Sequence, residues 1–280
     1  MNVLIITDLE GVSGIIDWDR HEPQTPLDQW QRKLMTGEVN AAITAAFDAG
    51  AKRVKVVEGH NAIDIAQLDP RATIVPAYYP AVPPLQGWDE GFDALLGVGK
   101  HAMGGTADGV LAHTGNRNVE FVEINGIRVG ENGQEAAEAG DFGFPLVMLS
   151  GDRAACREMQ ELLDDIEVAP VKKGYGEHHC ECLSPREACS CIYEATRRAL
   201  GRLVDFKPFV IEGPIEYVQR LKTAYSQDQI DSIRAKPFAE VLDERTVVFR
   251  GCNVVEAFAR RCGLDYTWSV TAGAAAGGPD

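Results

Sequence analysis

The chain reads Thr7-Asp8-Leu9-Glu10-Gly11-Val12-Ser13-Gly14 directly after the apolar run Val3-Leu4-Ile5-Ile6. A short apolar run of this kind is typical of a strand that is buried on both faces of a parallel sheet. If the strand continues to Glu10, its two-residue period points Asp8 and Glu10 to the same side. Two carboxylates held that close repel each other unless a cation lies between them or one is protonated. The pattern therefore indicates a divalent metal at the end of this strand, unless Asp8 merely caps a turn and Glu10 faces water.

Strand-like and helical patterns alternate through the first 170 residues. Further strand-like runs lie at 53–57, 72–75, 94–98, 146–149 and 166–171, and helical patterns cover 29–49, 131–139 and the segment that Asp152 caps. This alternation predicts an α/β fold with a mostly parallel sheet covered by helices on both faces. The run at 166–171 is predicted to be the last strand of that sheet. Asn125-Gly126 predicts a hairpin, because both turn positions accept positive φ.

The pattern changes beyond Asp205. A run at 209–211, a helical segment near 228–234 and a strand-like run at 246–249 predict a smaller α+β portion over residues 206–280, next to an α/β metal-binding catalytic domain over residues 1–205. The proline-containing stretch 17–28 is predicted to be a long loop near the carboxylates, with a lid as one role for it. The tail 272–280 is predicted to be disordered.

Composition excludes several classes of protein. The 280 residues include 27 basic and 42 acidic side chains, a net charge of −15 that argues against nucleic acid or an anionic membrane as a partner. No apolar run approaches the roughly 18–20 residues that span a bilayer, and the N-terminus lacks the regions of a signal peptide. We therefore expect a cytoplasmic protein whose seven cysteines are thiols.

Polar residues follow several of the predicted strands. His60 comes after the run at 53–57, His101 comes after the run at 94–98, and Glu131 opens a helix after the hairpin. Sites in parallel sheets form at the carboxyl ends of the strands, where Asp8 and Glu10 also lie. Two histidines and three carboxylates suit zinc or a similar divalent metal. Because five ligands exceed what one tetrahedral zinc needs, we predict two metals that share Asp8.

His113 is a further candidate, and the pattern leaves its role open between general base, nucleophile and proton donor to the leaving group. Each histidine taken alone would more often be structural than functional. A rival cluster is formed by His178-His179-Cys180-Glu181-Cys182 and Cys189-Ser190-Cys191. Its paired cysteines are separated by one residue, whereas zinc sites usually separate them by two to four. We therefore predict partly buried thiols there, on either side of a helix start at Ser184.

Five dispersed motifs resemble peptidase family M55, the zinc D-aminopeptidases of the dipeptide-operon type. The motifs are Asp8-Leu9-Glu10-Gly11-Val12-Ser13-Gly14, Glu58-Gly59-His60, Gly99-Lys100-His101-Ala102, Gly109-Val110-Leu111-Ala112-His113 and Val129-Gly130-Glu131. Their order and approximate spacing agree with the family from residue 1 to about residue 200.

The resemblance implies a two-zinc centre with a bridging aspartate, a catalytic histidine at His113, and release of N-terminal D-residues such as D-alanine from short peptides. The implied metal ligands are Asp8, Glu10, His60, His101 and Glu131. It also implies a homo-oligomeric ring of many copies, with ten as the candidate number. Two other functions use the same ligands: a binuclear-metal amidohydrolase or phosphohydrolase, and a ring protein without catalysis.

Overall fold

The computed structural model describes residues 1–18, 26–76 and 87–264, which form two β-sheets and six α-helices. The strands are β1 (Asn2–Thr7), β2 (Arg53–Glu58), β3 (Thr73–Val75), β4 (Ala94–Lys100), β5 (Val119–Ile124), β6 (Ile127–Arg128), β7 (Leu146–Asp152), β8 (Glu167–Gly176), β9 (His179–Cys182), β10 (Ile215–Leu221), β11 (Ala239–Asp243) and β12 (Thr246–Gly251). The helices are α1 (Pro26–Asp48), α2 (Glu131–Asp141), α3 (Arg153–Leu162), α4 (Pro185–Gly201), α5 (Gln227–Arg234) and α6 (Val254–Arg261). Among these residues, no helix combines the length and the apolar composition that crossing a membrane requires.

The first sheet has seven strands in the order β3-β2-β1-β4-β7-β8-β9. All of its neighbouring pairs are parallel except β8 with β9. Successive residues of β1 enter different cores, because a strand alternates its side chains between faces: Val3 and Ile5 pack with α1 and α4, and Leu4 packs with α2 and α3. The predicted fold class, a mostly parallel sheet with helices on both faces, is confirmed.

The prediction for the end of this sheet is wrong. β8 runs on past residue 171 to Gly176, and after two residues the chain returns as β9, which pairs antiparallel with it. The sheet therefore ends at β9, which is the segment of the histidine and cysteine cluster. Of the predicted loop 17–28, residues 26–28 belong to α1, where proline is tolerated in the first turn. Residues 19–25, with the predicted lid, and the tail 272–280 lie outside the described residues.

The second sheet has five antiparallel strands in the order β11-β12-β10-β5-β6. The predicted hairpin at Asn125-Gly126 is confirmed, with φ of 48° and 82° at the two turn residues. Its first strand, β5, pairs with β10, about ninety residues later in the chain, so the sheet includes strands from both sides of residue 205. The run at 209–211 is not a strand; β10 follows it. The division of the chain at residue 205 stays a prediction.

Helix α2 joins the two sheets. Its Ala136 and Ala139 pack in the core of the first sheet, whereas Ala137 packs in the core of the second. The helix begins at Glu131, so this packing on two sides fixes the predicted ligand relative to the carboxyl ends of β1 and β4.

Candidate metal centre

The ends of β1 and β4 meet closely, and this contact places Asp8 beside His101. The backbone amide of Asp8 donates to the carbonyl of Val98 at 2.9 Å, and that of Gly11 donates to Gly99 at 2.8 Å. A Cβ on Gly11 would lie 2.1 Å from the carbonyl oxygen of Lys100, and one on Gly99 would lie 2.0 Å from that of Asp8. Glycine at these two positions is therefore required for the approach.

The first ligand group consists of Asp8, Glu10 and His60, whose candidate ligand atoms lie within 4.8 Å of one another. Nε2 of His60 lies 2.9 Å from Oδ1 of Asp8 and 3.0 Å from Oε2 of Glu10. Both carboxylates are buried. The alternative in which Glu10 faces water is therefore wrong.

The second group consists of His101, His113 and Glu131, which meet the same 4.8 Å limit. Nε2 of His101 lies 3.5 Å and Nε2 of His113 lies 3.7 Å from Oε1 of Glu131. The two imidazole rings are stacked, with centroids 4.1 Å apart and planes inclined by 15°. Within the described part of the chain, these two groups are the sets of three or more candidate ligands that lie this close together.

Asp8 lies between the two groups. Its Oδ1 faces His60 at 2.9 Å, and its Oδ2 faces Nε2 of His101 at 3.3 Å. One carboxylate thus offers an oxygen to each group, which is the arrangement that a carboxylate bridging two cations requires. All six residues predicted from the sequence converge at one edge of the first sheet.

The donor set fits divalent metals. Nδ1 of His101 lies 2.9 Å from the carbonyl oxygen of Ala102 and must donate to it, which leaves Nε2 with a lone pair when the ring is neutral. Nε2 is buried and makes no hydrogen bond of good geometry to any described residue. Because a bare lone pair facing the Asp8 carboxylate is repelled, that nitrogen needs a proton or a metal ion. Imidazole and carboxylate ligands suit zinc.

The buried charges of the cluster shift the pKa values of its members. Burial alone would lower the pKa of His101, but Glu131 and Asp8 more than offset it and raise that pKa to about 10. Burial alone would also lower the pKa of His60, but hydrogen bonds and charge from Asp8 and Glu10 raise it well above its ordinary value. Burial alone would raise the pKa of Asp8, but Lys100 and His101 hold that pKa well below its usual range.

Comparison with known proteins decides the family. A model of the peptidase M55 family, described as D-aminopeptidase, matches residues 1–261. The chain belongs to this family. A D-aminopeptidase of Bacillus subtilis (strain 168) is 29% identical over 262 residues, which cover 92% of this chain and 94% of that protein. The solved structure of the zinc-dependent D-aminopeptidase DppA from Bacillus subtilis, described as a self-compartmentalizing protease, matches with a TM-score of 0.84 and 26% identity. That match covers 96% of this chain and 100% of the other.

The family resemblance predicted from the five motifs is therefore confirmed, and the chain is a D-aminopeptidase, a hydrolase of peptide bonds. The roles of the individual site residues are proposals that the geometry supports.

Lys100 is a buried cation beside this D-aminopeptidase centre. The sequence did not indicate it as a site residue. Nζ of Lys100 lies 2.7 Å from Oε1 of Glu135 and 3.7 Å from Oδ2 of Asp8. Burial alone would lower the pKa of Lys100, but Glu135 and Asp8 raise it, so the side chain is a fixed positive charge. Glu135 lies four residues after Glu131 on α2, and the helical repeat that puts both on one face was the available signal.

A second buried lysine holds the loop that carries Glu10. Nζ of Lys172 on β8 donates to the carbonyl oxygens of Glu10 and Ile15, each at 2.5 Å. Glu38 of α1 accepts from the amide of Ser13 in the same loop at 2.9 Å. The loop that carries Glu10 is therefore held by β8 and α1.

His113 is held in one orientation by a strained residue. Leu111 is buried with a φ of 50°, a left-handed conformation that costs a non-glycine residue about 1–2 kcal/mol. Its carbonyl oxygen lies 3.0 Å from Nδ1 of His113, and its amide donates to the carbonyl of Glu177 at 3.0 Å. Nδ1 is therefore the donor, and Nε2 of His113 is directed to the centre, 3.7 Å from Oε1 of Glu131.

The cysteine cluster lies apart from the two ligand groups. The chain's seven cysteines are free thiols, and Cys180, Cys182, Cys189 and Cys191 are half-buried, as predicted. The Sγ atoms of Cys180 and Cys182 are 3.4 Å apart on β9, and burial is the main cause that raises the pKa of Cys180 to about 11. No described group of three or more candidate metal ligands includes a cysteine. The structure thus agrees with thiols at this position.

Proposed function

We propose that this chain is a two-zinc aminopeptidase that releases N-terminal D-residues, such as D-alanine, from short peptides. The observation that carries the number of metals is the position of Asp8, whose two oxygens face two separate ligand groups. Zinc is supported by the imidazole and carboxylate donors and by the zinc-dependent relative.

In this proposal Asp8 bridges the metals, Glu10 and His60 hold one of them, and His101 and Glu131 hold the other. The paired metals, when bound, activate water and polarise the scissile carbonyl. His113 acts in catalysis: its Nε2 faces the centre, so it can take a proton and pass it to the leaving amine.

The comparisons favour an aminopeptidase over a phosphohydrolase. The matching family model is described as D-aminopeptidase, and the relative of known structure is a zinc-dependent D-aminopeptidase.

The test compares three peptides with zinc present. D-Ala-D-Ala should be cleaved, whereas N-acetyl-D-Ala-D-Ala should not be, because acetylation removes the free N-terminal amine that an aminopeptidase requires. L-Ala-L-Ala should be cleaved at least about 10-fold more slowly, because exchanging hydrogen and side chain at the α-carbon drives the side chain into the wall of a site built on fixed groups. Liberated alanine is measured by chromatography. Equal cleavage of all three peptides would contradict the proposal.

We further propose that the protein assembles as a homo-oligomeric ring, with ten copies as the candidate number, in the cytoplasm. The relative described as self-compartmentalizing supports assembly, and seven unpaired thiols support a reducing compartment. Light scattering on the purified protein should give a mass far above the 30.4 kDa of one chain. A monomer at micromolar concentration would refute the ring and leave the metal centre untouched.

Metal affinity should rise with pH. In protein stripped of metal, the carboxylates raise the pKa of His101 to about 10 and that of His60 well above its usual value, so both rings are protonated at neutral pH. Each ring must lose its proton before it binds a metal, so the apparent affinity should increase about tenfold per pH unit for each released proton. Titration of stripped protein with zinc at pH 6, 7 and 8 measures this, and an affinity independent of pH would exclude the two histidines as ligands.

A further inference from the structure

A cavity of about 690 Å³ opens beside His113. Ala112, the neighbour of His113 in the chain, lines it together with Trp18, and small residues of the segment 105–109 form part of its wall. The indole of Trp18 meets the imidazole of His113 edge-on, with ring centroids 4.9 Å apart and planes inclined by 78°. The cavity therefore adjoins His113 through Ala112 and Trp18.

The cavity carries positive charge at a site that is otherwise acidic. Arg117 and Lys222 both line it and are exposed. The amide of Lys222 donates to the carbonyl of Asn118 at 2.7 Å, and Oδ1 of Asn118 accepts from the amide and hydroxyl of Thr223. These hydrogen bonds hold the two cations on neighbouring segments, although Arg117 and Lys222 are more than one hundred residues apart in the sequence.

Neither Arg117 nor Lys222 forms a strong ion pair with a described residue. The guanidinium of Arg117 lies 5.1 Å over the Trp18 ring and 3.8 Å from Oε1 of Glu177, and the two side chains are 63% and 52% exposed. An exposed pair at this distance is weakly held. Glu177 is occupied by Trp18, whose Nε1 donates to it at 3.0 Å. Lys222 has no ion pair with any described residue.

A short peptide has the complementary charges. In an aminopeptidase the N-terminal residue lies at the centre, and in a dipeptide the C-terminal carboxylate follows about one residue, or 3.8 Å, further along. A peptide whose scissile carbonyl faces His113 can place its C-terminal part in the cavity, because Trp18 both lines the cavity and contacts His113. A guanidinium and an ammonium are the groups that bind carboxylates most strongly.

We infer that Arg117 and Lys222 bind the C-terminal carboxylate of the substrate, which makes di- and tripeptides with a free C-terminal acid the substrate class. This inference rests on the proposed aminopeptidase function. In the proposed reaction, Arg117 and Lys222 determine which substrates bind, and they take no part in cleavage of the peptide bond.

The experiment measures kcat/KM of the zinc-loaded protein on D-Ala-D-Ala and on its C-terminal amide. The free acid should be preferred by about 10-fold or more, since a charge-assisted contact is lost in the amide. The double variant Arg117→Gln with Lys222→Gln should lose that preference by raising KM for the free acid, with zinc content and kcat/KM for the amide unchanged. The matched control, Lys33→Gln with Arg186→Gln, removes the same charge from exposed positions elsewhere and should retain the preference.

A third peptide distinguishes recognition of the C-terminal carboxylate from recognition of a side-chain carboxylate. D-Ala-D-Glu with an amidated C-terminus carries its only acid on the side chain, and a preference for it over D-Ala-D-Ala would overturn the assignment to the C-terminus. Equal rates on free acid and amide, or equal losses on both in the double variant, would also overturn the inference while the aminopeptidase function stands. Cleavage of none of the three peptides would instead reject the proposed function, and the inference with it.

Discussion

Replacing Asp8 with alanine should lower the zinc content of the protein from near two ions per chain to one or none. The reason is geometric: Asp8 is buried, and its two oxygens face His60 and His101 in different ligand groups. Activity on D-Ala-D-Ala should fall by more than about 10²-fold, because even residues that only orient metal ligands cost 10–100-fold when they are removed. Elemental analysis of the desalted protein gives the metal content.

Two further variants sharpen this result. In the present structure the amide of Leu9 donates to Oδ1 of Asp8 at 2.9 Å. Asp8→Asn keeps the size of the side chain and an oxygen that can accept this hydrogen bond. A loss of zinc from Asp8→Asn therefore cannot be ascribed to a cavity. The double variant Cys180→Ser with Cys189→Ser should retain full zinc content, since neither thiol belongs to a ligand group. Unchanged zinc in both Asp8 variants would refute the bridge, and zinc lost from the cysteine variant would place a metal at the thiols.

The centre could be predicted from the sequence because three adjacent parallel strands carry it. β1, β2 and β4 are apolar runs whose ends are marked by Asp8, His60 and His101, and parallel neighbours end at one edge of the sheet. Local pattern was enough to find these residues. It did not reveal that β1 is the middle strand of the three, since strand order is set by pairing between distant segments.

The features that were missed depend on such distant contacts. The hairpin of β5 and β6 was recognised from its turn, but its pairing with β10 is decided by packing about ninety residues away. Lys100 and Lys172 lie just beyond the predicted strand-like runs at 94–98 and 166–171. Their burial could not be predicted from local pattern, because a lysine is buried only when carboxylates or carbonyls from other elements satisfy it. β9 was not predicted as a strand, because its residues were considered only as candidate metal ligands and thiols and their two-residue alternation was not used.

His113→Ala should keep both zinc ions while kcat falls by at least about 10²-fold, the usual contribution of a positioned acid–base group. The geometry also permits His113 to be a metal ligand, because its Nε2 lies 3.7 Å from Oε1 of Glu131 and its ring stacks on that of His101. The zinc content of this variant therefore distinguishes the two roles. The hydrogen bond from Nδ1 to the carbonyl oxygen of Leu111 orients the ring in either role. We propose catalysis because Ala112 and Trp18, which adjoin His113, line the cavity that we infer holds the substrate. His179→Ala removes an exposed histidine outside both groups and should change neither zinc content nor kcat. If His113→Ala loses one zinc along with its activity, His113 is a ligand, and either Glu131 or His101 must give up that role.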